Sequence, residues 1–202
     1  DVNDEEACFG TIGAIAMNAV RLLEPQLGDV IAVIGAGLVG QLAAQFADLA
    51  GCRVVVLDYN PERLKLAKYA GAELTINLGD GDPTAAIMNL SGGRGCDGIV
   101  IAAATDSSAP FNTAASIARD KGTISLVGMT GTEFEYRTFM KKELSVVVAR
   151  SYGPGRYDLD YESRNIKFPV GFVRWTETRN LEESVRLMSR CRDHRLQVEQ
   201  MI

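Results

Sequence analysis

The chain has 202 residues, of which 47% are hydrophobic and 23% charged, an ordinary globular composition that is sufficient for one sizeable core. Its formal net charge of −5 argues against a surface for nucleic acid or an anionic membrane, because either would require clustered lysine and arginine. The longest uncharged run among the first forty residues, 7–20, is too short to span a bilayer.

The cysteines indicate a reducing compartment. Cys8, Cys52, Cys96 and Cys191 are scattered, with no CxxC pair and no neighbouring histidine, so neither a disulfide framework nor a structural zinc site is indicated. With no visible signal peptide, we expect a cytoplasmic location. Because the chain begins at Asp1 rather than at a methionine, we expect it to be part of a longer protein.

In chain order, the pattern predicts a leading helix within residues 1–28, a sheet core in residues 29–150, and a loop and helix in residues 151–202. Several predicted strands are nearly unbroken apolar runs, which is typical of parallel strands covered by helices on both faces. We therefore predict one α/β domain with a doubly wound six-stranded parallel sheet in the order 3-2-1-4-5-6. The predicted strands span residues 30–34, 53–57, 74–77, 98–103, 123–127 and 144–149. The predicted helices include 4–23, 38–50, 109–118 and 181–192, and a further helix that Asn60 caps and Gly71 ends.

A glycine-rich turn, GAGLVG, follows the first predicted strand. Gly35 permits a tight turn, Gly37 lets backbone N–H groups approach a pyrophosphate, and Gly40 lets the next helix lie close to the strand. Asp58, at the end of the second strand, would accept hydrogen bonds from ribose hydroxyls. The turn in this context predicts a dinucleotide bound at the positive end of a helix.

Ligands of such sheets lie beyond the carboxyl ends of the strands, where the strand order reverses. This rule adds Tyr59 and Ala104 to the candidate cofactor contacts. The loops that we expect to face one crevice are residues 35–39, 58–59, 103–105, 128–130 and 150–152.

The charge of Asp58 predicts NAD(H) in preference to NADP(H), because a 2′-phosphate beside this carboxylate would bring like charges together. Arg63 could reach the same ribose and partly compensate, or it could be a solvated charge on the first turns of a helix. FAD and S-adenosylmethionine, which bind to similar folds, remain alternatives. No residue is marked as catalytic, and His194, within a charged run, is expected to be a solvated surface side chain.

Five segments in this order resemble the cofactor-binding domain of the medium-chain dehydrogenases/reductases, the zinc-type alcohol dehydrogenase superfamily, which has a Rossmann fold. They are EEACFGTIGAIAMNAV, GDVIAVIGAGLVGQLAAQFADLAGCRVVVLDYNPERLKLAKYAGAE, GGRGCDGIVIAAAT, GTISLVGMTG and KKELSVVVARS. The resemblance implies that residues 35–39, including Leu38 and Val39, form the phosphate loop and that Asp58 holds the ribose. It also implies that backbone groups near Val127, Ala149 and Ser151 hold the nicotinamide carboxamide.

The chain departs from that family in two respects. The GroES-like catalytic domain, which carries most zinc ligands and substrate contacts, is absent from this chain. The family's zinc ligand in the first helix corresponds to Thr11, and the nearby Cys8 is out of register, so zinc is not expected here. Residues 150–175 are similar to bi-domain oxidoreductases that join a medium-chain dehydrogenase half to a sugar-oxidoreductase-like half. These residues include Tyr152, Arg156 and Tyr157, which would either approach the nicotinamide end and an anionic substrate or pack on the domain surface.

These observations predict the NAD(H)-binding domain of an oxidoreductase that transfers hydride between nicotinamide and a carbonyl or alcohol carbon of a small molecule, with little turnover by this chain alone. The alternative is a non-catalytic dinucleotide-binding or redox-sensing module. The sixth strand, residues 144–149, is expected at the sheet edge and predicts a homodimer. Residues 197–202 resemble the beginning of a further strand.

Overall fold

The computed structural model describes residues 2–189 and 196–201. The strands are β1 (Val30–Ile34), β2 (Arg53–Asp58), β3 (Leu74–Asn77), β4 (Cys96–Ile101), β5 (Ala118–Leu126) and β6 (Ser145–Val148). The helices are α1 (Asp4–Ala7), α2 (Gly10–Arg21), α3 (Leu38–Leu49), α4 (Pro61–Tyr69), α5 (Thr84–Leu90), α6 (Ala109–Ile117), α7 (Tyr136–Lys142), α8 (Leu159–Glu162) and α9 (Glu177–Met188). Within the described residues, no helix is both long and apolar enough to cross a membrane.

The strands form one parallel sheet in the order β3-β2-β1-β4-β5-β6, which confirms the predicted fold. All five residues of β1 are buried, as expected for a strand at the centre of a sheet that is covered on both faces. The order reverses between β1 and β4, so the crevice beyond their carboxyl ends is the expected ligand site.

Two hydrophobic cores cover the two faces of the sheet. Alternate residues of each strand point to opposite faces, so Ile31 and Val33 join one core while Val30 and Ala32 join the other. The first core includes buried side chains of α2, α3, α4 and α9, and the second includes those of α5, α6 and α7. This arrangement places α2 and α9 on the same face of the sheet as α3, the helix that follows the glycine-rich turn.

The leading helix is divided in two, contrary to the prediction of one helix over residues 4–23. Asn3 and Glu6 form a reciprocal capping box around α1, in which each side chain accepts from the other's backbone N–H. The N–H of Phe9 then bonds to the carbonyl oxygen of Glu6 at 3.0 Å, and this tight turn separates α1 from α2.

Other differences lie in the second half of the chain. Strand β5 begins at Ala118, five residues earlier than predicted, because Cys96 pairs with Ala118 before the register shifts. Helix α7 was not predicted, and the C-terminal helix begins at Glu177 because Thr176 caps it. Residues 199–201 form a 3-10 helix, so the predicted strand is wrong there. Cys191 and His194 lie outside the described residues.

Candidate functional site

The three glycines of the turn have different surroundings. Gly35 has φ +99°, and a Cβ built on it would lie 2.7 Å from the backbone nitrogen of Ala103, so both conformation and space require glycine. A Cβ on Gly40 would lie 1.8 Å from the carbonyl oxygen of Gly35, which explains how α3 starts so close to the end of β1. These two glycines shape the turn itself.

Gly37 differs because the space beside it is open. It caps the N-terminus of α3 without a side-chain hydrogen bond, and a Cβ built on it would have no neighbour within 4 Å. The N–H groups of the first turn, including those of Leu38 and Val39, have no partner within the helix. A cradle of backbone donors at the positive end of a helix, with open space beside it, fits a pyrophosphate group.

Asp58 ends β2 and connects the turn to the following helix. Its Oδ2 accepts from the N–H of Ala36 at 2.6 Å, and its Oδ1 accepts from the N–H of Asn60 at 2.7 Å. Because a carboxylate offers about four acceptor positions, each oxygen keeps the capacity for a further donor such as a ribose hydroxyl. The predicted helix cap is also confirmed, since the Asn60 side chain accepts from the N–H groups of Glu62 and Arg63.

A cleft of about 1000 Å³ lies beside this loop. Its border includes most of the residues predicted to hold the phosphates and the adenosine ribose, which we call the adenosine half of the site. Tyr59 and Arg63 are both exposed along this border. The predicted residues that border it are Gly35, Gly37, Asp58, Tyr59, Arg63 and Ala104. Thr105, from the predicted loop 103–105, also borders the cleft, together with Ser107, Pro110 and Thr113, which were not predicted as contacts.

The residues predicted for the nicotinamide half lie outside the border of this cleft. The N–H groups of Val127 and Ala149 extend the sheet pairing, donating to Ile101 at 3.1 Å and to Leu126 at 2.9 Å. Ser151 follows in a turn with φ +51°. The loop at residues 128–130 contacts the neighbouring loop, because the N–H of Thr105 donates to the carbonyl oxygen of Met129 at 2.8 Å.

A second cleft of about 840 Å³ follows β6 and is bordered by Arg150, Arg156 and Tyr157. The guanidinium carbons of Arg150 and Arg156 lie 4.6 Å and 4.2 Å from the centroid of the Tyr157 ring. Arg156 pairs with Glu162, and this hydrogen bond lowers the pKa of the Glu162 carboxyl. The arginines of this segment therefore border a cleft and also pack on an aromatic ring, which agrees in part with each of the two interpretations.

Two buried asparagines beside the segment predicted to hold the nicotinamide were not predicted. Asn18 is 6% exposed and Asn180 is fully buried, and each donates to a backbone carbonyl of the turn that follows β6. The signal for Asn18 was present in the sequence, because an asparagine within the apolar run of α2 must find a hydrogen-bond partner when buried. Asn180 had no such signal, because the polar sequence around it gives no indication of burial.

Among the described residues, Cys52 and Cys96 are buried thiols, whereas the candidate zinc position is exposed. Burial raises the pKa of Cys52 to about 11 and that of Cys96 to about 12, so both are neutral, inert thiols. Cys8 and Thr11 are exposed. Among residues 2–189 and 196–201, no three His, Cys, Asp or Glu side chains are grouped as metal ligands, and the expectation about zinc stays a prediction.

Comparison with known proteins agrees with the geometry. A family model described as zinc-binding dehydrogenase matches residues 39–164. A probable alcohol dehydrogenase from Mycobacterium tuberculosis (strain CDC 1551 / Oshkosh) is 35% identical over 136 residues, which are 65% of this chain and 36% of that protein. The chain therefore spans about a third of the length of that curated relative.

Solved structures agree with the fold. An alcohol dehydrogenase from Thermus sp. ATN1 superposes with a TM-score of 0.69 at 27% identity, covering 75% of this chain and 46% of that one. Galactitol-1-phosphate dehydrogenase from Escherichia coli superposes with a TM-score of 0.78 at 22% identity, covering 99% of this chain and 53% of that one, which bears on the fold alone. The chain belongs to the zinc-binding dehydrogenase family, as a Rossmann-type cofactor-binding domain of the zinc-type medium-chain dehydrogenase superfamily.

Proposed function

We propose that the chain is the NAD(H)-binding domain of an oxidoreductase that transfers hydride between nicotinamide and a carbonyl or alcohol carbon. The observation that carries the proposal is the position of Asp58, whose carboxylate borders the cleft while it holds the N–H of Ala36 in the glycine-rich turn. Gly37 and the first turn of α3 would hold the pyrophosphate, and the cofactor would supply the hydride chemistry. This chain contributes binding and orientation.

The preference for NAD(H) over NADP(H) follows from charge. A 2′-phosphate would have to lie beside Asp58, and juxtaposed like charges in a binding site can cost several kcal/mol. Asp58 cannot easily turn away, because both of its oxygens accept backbone N–H groups. Arg63 borders the same cleft and would offset part of that repulsion.

Asp58→Ser tests this role by calorimetric titration with NADH and NADPH. Losing a hydrogen bond to a charged group costs about 1.5–3 kcal/mol, so NADH binding should weaken by about tenfold or more. The affinity for NADPH should change less, so the preference for NADH should narrow. If the unmutated chain binds NADPH more tightly than NADH, the role given to Asp58 is wrong.

Asp82→Ser is a matched control. Asp82 also accepts from a nearby backbone N–H, that of Thr84 at 3.0 Å, but it does not border the cleft. The control should therefore remove one carboxylate from a comparable local hydrogen bond while keeping the affinity for NADH. Equal losses of NADH affinity in both variants would show that the effect of Asp58→Ser does not depend on the position of Asp58 at the cleft.

A longer protein would carry the remaining parts of the proposed activity. Because the curated relative is nearly three times the length that matches this chain, we propose that a catalytic domain outside this chain binds the substrate. The chain alone should bind NADH yet oxidise alcohols little or not at all, and efficient oxidation by it would contradict this. A homodimer paired along β6 and a cytoplasmic location complete the proposal.

A further inference from the structure

The turn at residues 151–154, directly after β6, is held by hydrogen bonds to its carbonyl groups. Asn18 donates from Nδ2 to the carbonyl oxygen of Ser151 at 3.2 Å, and Asn180 donates from Nδ2 to that of Tyr152 at 2.9 Å. The backbone N–H of Glu177, at the start of α9, donates to the carbonyl oxygen of Pro154 at 2.7 Å. Two helices thus hold three carbonyls of one short turn.

The backbone of this turn has an unfavourable conformation that these contacts maintain. Ser151 has φ +51°, in the left-handed region, which costs a non-glycine residue about 1–2 kcal/mol. Gly153 has φ +115°, and a Cβ built on it would lie 2.5 Å from the Nδ2 of Asn180. Glycine at this position therefore allows the buried amide to approach the turn closely.

Arg21 fixes the orientation of the Asn180 amide. Its guanidinium donates to the Oδ1 of Asn180 and lies over the ring of Trp175, with its central carbon 3.4 Å from the ring centroid. Because arginine has no acceptor, the amide must turn its oxygen towards Arg21 and its Nδ2 towards the carbonyl of Tyr152. Burial lowers the pKa of Arg21 to about 10, so the side chain remains a cation at neutral pH.

The close packing of α2 and α9 brings these three side chains to the turn. A Cβ on Gly13 would lie 2.1 Å from the Oγ of Ser184, so the absence of a side chain on α2 lets α9 approach. Asn18 and Arg21 are one helical turn apart on α2, and Asn180 is one turn before Ser184 on α9. The two helices therefore act together on the turn.

We infer that Asn18, Arg21 and Asn180 are positioning residues, which orient the turn at residues 151–154 so that the N–H of Ser151 can donate to the carboxamide of nicotinamide. This inference rests on the proposed function and on the expectation, from the family resemblance, that a backbone group near Ser151 holds the carboxamide; what it adds is the role of the three side chains. The carbonyl groups of Ser151, Tyr152 and Pro154 already accept hydrogen bonds. In contrast, the N–H of Ser151 donates to no group within the described part of the chain. A carboxamide oxygen is an acceptor that such a donor fits.

The test compares NADH with ADP-ribose, which lacks the nicotinamide ring, by calorimetric titration of the whole chain. Asn180→Asp has nearly the same shape and keeps an acceptor for Arg21, but it removes the donor to the carbonyl of Tyr152. We expect NADH affinity to fall by about tenfold, which is the loss of about one hydrogen bond, and ADP-ribose affinity to stay within about twofold. A purely structural role would change both affinities alike.

Ser184→Ala is the matched control, because Ser184 is equally buried on α9 and its hydroxyl makes no hydrogen bond within the described residues. It should leave both affinities unchanged. If Asn180→Asp unfolds the chain, as judged by thermal melting, Asn18→Leu replaces it, since leucine is similar in volume and removes the donor to Ser151.

Three results would overturn the inference. One is an equal loss of NADH and ADP-ribose affinity in a folded variant, and another is no greater loss of NADH affinity than in Ser184→Ala. The third is an unmutated chain that binds NADH no more tightly than ADP-ribose, because the turn then contributes nothing. If the unmutated chain binds neither ligand, the proposed function itself fails, together with the inference that rests on it.

Discussion

The two ends of the proposed cofactor site are built in different ways. At the adenosine end, the bond between Ala36 and Asp58 joins residues only 22 positions apart. At the nicotinamide end, Asn18 and Ser151 are 133 positions apart, and Arg21 and Asn180 are 159 apart. The first end is a single strand-turn-helix-strand unit, whereas the second depends on two distant helices packed together.

This difference has a physical consequence for robustness. Local contacts within one βαβ unit form with little loss of chain entropy, whereas contacts between residues more than a hundred positions apart require the whole domain to be assembled. We therefore expect substitutions in α2 or α9 to lower the affinity for NADH while leaving the affinity for ADP-ribose unchanged. Substitutions in the glycine-rich turn should lower either the stability of the domain or the affinity for the adenosine and pyrophosphate part of the cofactor.

The largest expected effect is that of Gly40→Ala on stability. The new Cβ would lie 1.8 Å from the carbonyl oxygen of Gly35, and backbone cannot move as a side-chain tip can. Such overpacking costs about 3 kcal/mol, which corresponds to about 10 °C in the melting temperature of a chain of this size. Thermal melting followed by circular dichroism measures the change.

Gly37→Ala is the matched variant in the same turn. Its Cβ would enter open space, and its φ of −70° suits alanine, so the melting temperature should change by less than about 2 °C. NADH affinity should nevertheless fall by about tenfold, because the methyl group would occupy the predicted pyrophosphate position. Unchanged NADH affinity in this variant would show that the turn does not bind the pyrophosphate.

The sequence was most informative where structure is locally determined. Strands β1 and β3 have their predicted bounds, and the helix cap at Asn60 is confirmed. Each of these features depends on an apolar run or a turn residue that can be recognised from a few neighbouring residues of the sequence. The strand order was also predictable, because parallel strands alternating with helices restrict the topology.

The misses lie where local signals are weak. Helix α7 has only seven residues, and Glu135 at its N-terminus makes no side-chain cap, so its sequence lacks a recognisable start. It is stabilised by long-range contacts instead: Lys142 at its end donates to the carbonyl oxygens of Ala115, Ser116 and Ala118. In the same way, the sequence around Asn180 does not indicate that its side chain accepts a hydrogen bond from Arg21, which lies on a helix 159 positions earlier in the chain.

The next effect concerns the edge strand, which ends three residues before Ser151. Within β6, Val146 is 40% exposed and Val148 is 70% exposed, on an edge whose backbone groups have no neighbouring strand in the described sheet. An exposed apolar edge favours pairing with a second copy, and lysine on an edge strand opposes it. Val148→Lys should therefore convert the proposed dimer to a monomer, measured by light scattering.

Val170→Lys is the control for the edge strand, because Val170 is 68% exposed but lies outside β6. It should leave the oligomeric state unchanged. ADP-ribose affinity should be the same in both variants, since the adenosine end lies at the centre of the sheet. A monomeric unmutated chain, or a Val148→Lys chain that still dimerises, would contradict pairing along β6.

The smallest effect, and the finest distinction between the two ends, is that of Arg21→Lys. Lysine keeps the charge and one donor for Asn180, but it loses the planar group that stacks on Trp175 and holds the amide at a fixed angle. We expect NADH affinity to fall by about threefold and ADP-ribose affinity to stay constant, both by calorimetric titration. Arg174→Lys is the control, because Arg174 also lies over the ring of Trp175, at 5.3 Å, without donating to Asn180. If the two variants behave alike, the stack on the tryptophan, rather than the orientation of the Asn180 amide, governs the nicotinamide end.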